Sequence, residues 1–174
     1  MTAPVGYRHA MAHDPFQVAT ITVSDTRTEA DDEGGRRLRE LLTSAGFALA
    51  AHAIVRDEPD EIRRALERAA DEGVGAIVTT GGTGISPRDN THETVDLLLE
   101  KKLDGFGEAF RRLSWEAIGP RAILSRAVAG TWRGRIVACL PGSPAALDLA
   151  IPKILAPVLP HAVSLARGRG RHPQ

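Results

Sequence analysis

The stretch Thr79-Thr-Gly-Gly-Thr-Gly-Ile-Ser-Pro-Arg-Asp89 holds the most distinctive chemistry in the sequence. Three glycines within four residues, Gly81, Gly82 and Gly84, let a backbone bend so that successive N–H groups converge on an anion. Thr83 and Ser86 add hydroxyl donors. The loop is not a Walker phosphate loop, because no Gly-Lys-Ser/Thr follows at the required spacing. It is not a dinucleotide fingerprint either, because Pro87 stands where the third glycine would be. A tight strand-to-helix turn explains the glycines equally well. Asp89 closes the loop, and Asp57 follows an earlier apolar run. Two carboxylates beside an anion-binding loop are the hard oxygen ligands that hold Mg2+ against phosphates. Each also has a plainer role, since an acidic residue ahead of a helix stabilises its first turn. Spacing alone favours that cap for Asp57 and leaves Asp89 open between the two.

Two further loops leave apolar runs with polar residues. Ser24-Asp25-Thr26 borders a ligand or makes an ordinary turn, and the residues by themselves favour the turn. Pro141-Gly-Ser-Pro144 puts Ser143 at a helix start, where a hydroxyl caps the helix, binds a phosphate, or does both. The remaining candidates are less specific. His92 has no second His at metal-ligand spacing, so a half-exposed helix residue is its default. Cys139 sits inside an apolar strand and reads as a small core residue rather than a nucleophile. Asp104-Gly-Phe-Gly-Glu108 shapes a pocket, meets a neighbouring subunit, or simply enters a helix.

The elements that must position these loops alternate. Val18 to Val23 is a β-branched run. Leu38, Leu41, Leu42 and Ala45 follow the helical template, with Gly46 placed to end it. Phe47 to Val55 reads as a second strand. Ile62, Ala65, Leu66 and Ala69 repeat the helical template between Pro59 and Gly73. Gly75 to Thr80 is a third, buried strand, and a helix is expected from Thr91 to Leu99. Residues 103–120 hold another helix ending near Gly119-Pro120. Strands are expected over Ser125 to Thr131 and Arg135 to Leu140, joined by a hairpin at Trp132-Arg-Gly134. A closing helix after Pro144 is expected to kink at Pro152 and Pro157. This alternation predicts a single-domain, three-layer α/β fold: a mostly parallel sheet, one antiparallel edge hairpin and helices on both faces. The three polar loops then share the carboxyl-end rim, where ligands bind in such sheets.

Composition bounds the function. The 174 residues carry 22 Lys plus Arg against 22 Asp plus Glu, a balance that argues against a nucleic-acid binder or a polybasic membrane protein. Aromatics at 4% leave little for base stacking and require an aliphatic core. A lone cysteine permits no internal disulfide and no Cys-based zinc site. No apolar run approaches the roughly 20 residues of a membrane span, and the first residues lack the apolar middle of a signal peptide. A cytoplasmic protein is expected. Residues 1–14 and the basic tail 167–174 are expected to be disordered, flanking one domain at 15–166.

Together, Thr80-Gly-Gly-Thr-Gly84, Asp89, Gly105-Phe-Gly-Glu108, the Ile123-Leu-Ser-Arg-Ala127 strand start and Leu140-Pro-Gly-Ser-Pro144 resemble the MoaB/MogA family of molybdenum cofactor biosynthesis proteins. The likeness covers about residues 17–167, with five short motifs in the family's order. It implies an α/β domain that binds molybdopterin, a pterin dithiolene with a terminal phosphate, and assembles as a homotrimer or a dimer of trimers. In the MogA-like branch the implied activity is adenylylation of that phosphate by Mg2+-ATP with release of pyrophosphate. The alternative is a MoaB-branch protein that binds molybdopterin without turnover. The resemblance assigns the phosphate to Thr80, Gly81, Gly82, Thr83 and Gly84 together with Pro141, Gly142 and Ser143. It sets Ser24 and Asp25 at the pocket's border, and it makes Asp57 and Asp89 the acidic residues needed for activity, with Mg2+ between them and ATP.

Overall fold

The computed structural model describes residues 15–169. Its elements are β1 (Gln17–Val23), α1 (Glu33–Ser44), β2 (Ala48–Val55), α2 (Pro59–Asp71), β3 (Ala76–Thr80), α3 (Thr91–Leu98), β4 (Lys101–Lys102), α4 (Asp104–Ile118), a 3₁₀ segment (Gly119–Leu124), β5 (Val128–Trp132), β6 (Arg135–Leu140), α5 (Pro144–Ala150), a π segment (Ile151–Leu155) and α6 (Ala156–Ala166). One sheet runs in the order β2-β1-β3-β6-β5-β4. The first four strands are parallel; β5 is antiparallel to β6, and β4 to β5.

Side chains alternate across the strands with the period of two that a sheet buried on both faces requires. Val18, Val78, Ile136, Ala138 and Leu140 face one core with Leu38, Phe110, Leu147 and Leu159. Ala19, Ile21, Ile77, Val137 and Cys139 face the other with Ile62, Leu66 and Val95. Helices α1, α4, α5 and α6 thus cover one face, and α2 and α3 the other. This is the expected three-layer α/β architecture.

One strand expectation needs correction. The segment beginning Ile123-Leu is not the start of a strand, because Gly119 (φ 61°) and Pro120 turn it into a 3₁₀ segment and β5 begins only at Val128. The expected antiparallel hairpin is present at that side of the sheet, with Arg133 (φ 48°) and Gly134 (φ 71°) as its two turn residues. Lys101 and Lys102 add a two-residue outer strand, too short and too polar to announce itself by pattern. The N–H of Arg167, Gly168 and Arg169 return to the carbonyls of Val163, Leu165 and Ser164, closing α6. Residues 1–14 and 170–174 of the expected tails lie outside the described residues.

Pro152 and Pro157 do mark an irregularity, a π segment rather than a break, since the N–H each proline lacks loosens the ladder by a residue. The result is one helical run, Pro144–Ala166, holding an 18-residue stretch with a mean hydropathy of 1.5, which is long and apolar enough by length and composition to cross a membrane. The expectation that no segment reaches that length is therefore revised. In this fold its stripe of Leu147, Ile151, Leu155, Leu159 and Val163 is spent on the core.

Candidate functional site

The sheet aligns the ends of the site-bearing strands. Thr22 pairs with Thr80, and Thr80 with Leu140, so the loops after β1, β3 and β6 leave from one level. Connections run from β1 to β2 on one side and then to β3 on the other, making the β1/β3 boundary the switch point where a crevice opens. A cavity of about 1030 Å³ lies there, at the upper end of the range for small-molecule sites.

Ten of the twelve residues singled out from sequence line this cavity: Ser24, Thr80, Gly81, Gly82, Thr83, Gly84, Asp89, Pro141, Gly142 and Ser143. Close packing explains the loop glycines. A Cβ on Gly81 (φ 99°) would stand 2.2 Å from the carbonyl oxygen of Val23, and one on Gly82 (φ 64°) would stand 2.0 Å from Thr91 Oγ1. The N–H of Gly81 is committed to the Leu140 carbonyl at 2.9 Å, so it is not an anion donor. The N–H groups of Gly82, Thr83, Gly84 and Ile85 have no acceptor among the described residues. Thr80 Oγ1 ties this loop to the next one by donating to the Pro141 carbonyl at 3.0 Å. Ser143 caps α5, its hydroxyl accepting from the Ala146 N–H at 3.3 Å.

Asp25 and Asp57 do not line the cavity. Asp25 accepts the N–H of Asp57 at 3.1 Å and pairs with Arg88 at 2.9 Å. That Arg88 contact, with the Asp57 N–H, holds its carboxyl below the usual carboxylate range. Ser24 forms the turn, accepting from the N–H groups of Thr26 and Arg27.

Asp57 is not a cap, since the N-cap of α2 is Glu58, with no side-chain cap bond. It is 5% exposed and accepts the Asn90 N–H at 2.9 Å from behind the glycine loop. Burial pushes its carboxyl up to about 6, with Asp89 and Asp25 adding repulsion and the Asn90 N–H opposing the shift.

Asp89 fastens its own loop. Its Oδ2 accepts the Ser86 N–H at 2.8 Å, Oδ1 has no hydrogen-bond partner among the described residues, and the residue lines the cavity. A carboxylate lining a cavity large enough for phosphate-bearing ligands suits Mg2+; the position of Asp57 behind the loop does not suit direct coordination. Among the described residues no cluster of three or more His, Cys, Asp or Glu forms a metal site.

Three weaker candidates keep their plain roles. Cys139 is buried, with its thiol pushed up to about 12 by burial. His92 Nδ1 bonds the Arg126 carbonyl. Gly105-Phe-Gly107 forms the first turn of α4, with Gly107 close beneath the Ala127 carbonyl.

Sequence reasoning missed several cavity residues, notably Arg27, Asp32, Gly34 and Arg121. Asp32 is 2% exposed. Its Oδ1 caps α1 through the Gly35 N–H at 2.8 Å, and its Oδ2 meets Thr22 Oγ1 at 2.8 Å and His52 Nε2 at 3.2 Å. Asp32-Glu33-Gly34 ahead of the Leu38 periodicity was a readable helix start; its cavity position was not.

Residues 19–161 match a family model described as "Probable molybdopterin binding domain". Molybdenum cofactor biosynthesis protein B of Staphylococcus carnosus (strain TM300) is 46% identical over 151 residues, covering 85% of this chain and 89% of that protein. A crystal structure of a molybdenum cofactor biosynthesis protein B superposes with a TM-score of 0.85 at 41% identity, over 89% of this chain and 98% of that one. The crystal structure of the tungsten cofactor synthesizing protein MoaB from Pyrococcus furiosus gives 0.82 at 37% identity, over 88% and 98%.

Proposed function

The chain belongs to the MoaB/MogA family of molybdenum cofactor biosynthesis proteins, and on that premise we propose that it binds molybdopterin and adenylylates its terminal phosphate with Mg2+-ATP. One observation carries the reading. Three loop ends converge on one cavity, and the glycine loop brings to it a run of N–H groups without acceptors among the described residues.

These N–H groups hold the molybdopterin phosphate, with the Ser143 helix start beside them. A phosphate oxygen then attacks the α-phosphate of ATP. The new P–O bond forms as the bond to the β-phosphate breaks, and its electron pair leaves with pyrophosphate. The phosphate monoester is already largely ionised near pH 7, so no protein base is needed. The chain's task is to hold two anions in line. Arg27 and Arg121 on the cavity wall reduce their repulsion. Asp89 offers its uncommitted Oδ1 to Mg2+, which when bound neutralises the triphosphate and its leaving group. Asp57 acts from behind, holding the loop that carries Asp89.

A cytoplasmic homotrimer, or a dimer of trimers, belongs to the same proposal. The exposed Trp115, Ile118, Ile123 and Leu124 supply an apolar surface for a second copy. The burial of Asp57 outside the cavity favours a second reading, a molybdopterin-binding protein without turnover.

The deciding measurement is pyrophosphate release from ATP and Mg2+ in the presence of molybdopterin. Release with accumulation of adenylylated pterin is expected, and Asp89→Asn should lower it at least tenfold while keeping the fold. Molybdopterin binding with no pyrophosphate release would establish the second reading.

A further inference from the structure

The peptide groups of the glycine loop are used asymmetrically. Their carbonyls are held by protein donors: Gly82 by the Thr91 N–H at 3.0 Å, Thr83 by Arg126 Nε at 3.3 Å, and Gly84 by Nη2 of the same guanidinium. The N–H groups of Gly82, Thr83, Gly84 and Ile85 have no acceptor among the described residues. Glycine-rich peptides rotate readily, and rotation here would turn oxygens toward the cavity. A cation on the oxygen blocks that rotation and polarises the peptide, which strengthens its N–H as a donor.

Arg126 is itself braced. Its guanidinium contacts the Glu93 carboxylate through Nη1 and, at 3.2 Å, through Nη2, and its carbonyl receives His92. Both braces stand in the first turn of α3, the helix the glycine loop runs into. Only a planar fork spans two carbonyls and a carboxylate together; an ammonium group does not.

We propose that Arg126 is the positioning residue of this anion cradle, holding the Thr83 and Gly84 carbonyls back so that the loop presents N–H groups to phosphate, with Glu93 as its strut. The inference rests on the loop being the phosphate subsite of the proposed function and adds a residue that acts through it.

The test titrates inorganic phosphate into ¹⁵N-labelled wild type, Arg126→Lys, Arg126→Gln and Glu93→Gln. In wild type the Gly82 to Ile85 amide resonances should shift on titration. In Arg126→Lys and Glu93→Gln the phosphate Kd should rise roughly tenfold, with those shifts reduced and melting temperatures close to wild type. In turnover, the KM for molybdopterin should rise by a larger factor than kcat falls. Unchanged phosphate Kd in the folded variants would overturn the proposal, as would wild-type loop amides that ignore phosphate. If the Arg126 variants fail to fold, Glu93→Gln decides by the same Kd. Failure of the adenylylation reading looks different: wild type binds phosphate through these amides yet releases no pyrophosphate, and the variants' Kd still judges Arg126.

Discussion

The Asp57 carboxylate accepts the backbone N–H of Asn90 at 2.9 Å, and the Asn90 side-chain amide donates back to the Asp57 carbonyl, also at 2.9 Å. This reciprocal pair joins the exit of β2 to the end of the glycine loop. Arg88 of the glycine loop adds ties from outside, pairing with Glu58 after β2 and with Asp25 after β1, each at 2.9 Å.

The raised carboxyl of Asp57 makes this joint pH-dependent. Its folded value, about 6, lies above the ordinary 3.8. Between those values the folded chain keeps a proton that the unfolded chain has released, so this contribution falls as pH rises through the window and is flat above it. Asp57→Asn keeps an acceptor oxygen and removes the charge. It should match or exceed wild-type stability at pH 7.5, by at most about 3 kcal/mol, with the gain gone near pH 4. Both proteins carry His52, so its titration cancels in the difference. Urea melts at the two pH values read this; a difference independent of pH would refute it.

Asp32 satisfies three donors from a nearly closed position. Asp32→Ala removes a helix cap and leaves the Thr22 hydroxyl and the Gly35 N–H unpaired, for an expected cost of about 2–4 kcal/mol. The urea midpoint measures it, and a loss under about 1 kcal/mol would mean that water replaces the carboxylate.

Gly34 lets α1 approach the β6 loop. A Cβ there would stand 2.5 Å from the Gly142 carbonyl oxygen, a backbone atom that cannot swing aside. Gly34→Ala should cost about 1–3 kcal/mol through overpacking and weaken molybdopterin binding by displacing the Pro141–Ser143 wall. Unaltered affinity would remove that wall from the site.

Ser143 separates capping from binding. Ser143→Ala should cost about 1 kcal/mol of stability as a lost cap, and Ser143→Gly only a few tenths. If the hydroxyl also contacts phosphate, calorimetric titration with molybdopterin will show both variants weakened alike. Affinity that tracks stability would leave Ser143 a cap alone.

The rim was legible because each of its loops follows a β-branched or apolar run and precedes helical periodicity. Val18 to Val23, Gly75 to Thr80 and Arg135 to Leu140 therefore announced parallel strands with ligand-facing ends. Lys101-Lys102 was not legible, since two exposed lysines pair with β5 through backbone groups that no side-chain pattern reports. Arg126 stands within the Ile123-Leu-Ser-Arg-Ala127 motif, yet its role depends on carbonyls 42 and 43 residues away.

The sequence by itself determined the α/β class, the family and the convergence of the Ser24, Gly81–Gly84 and Ser143 loops, because periodicity and glycine placement are local properties of the chain. Tertiary structure decided which acidic residue faces the cavity. Spacing favours a cap for Asp57 and leaves Asp89 open, but Asp57 is buried behind Gly82 and Asp89 lines the open side. Burial, charge and hydrogen-bond supply arise only when β1, β2 and the glycine loop are brought together, and those quantities set what a carboxylate can do.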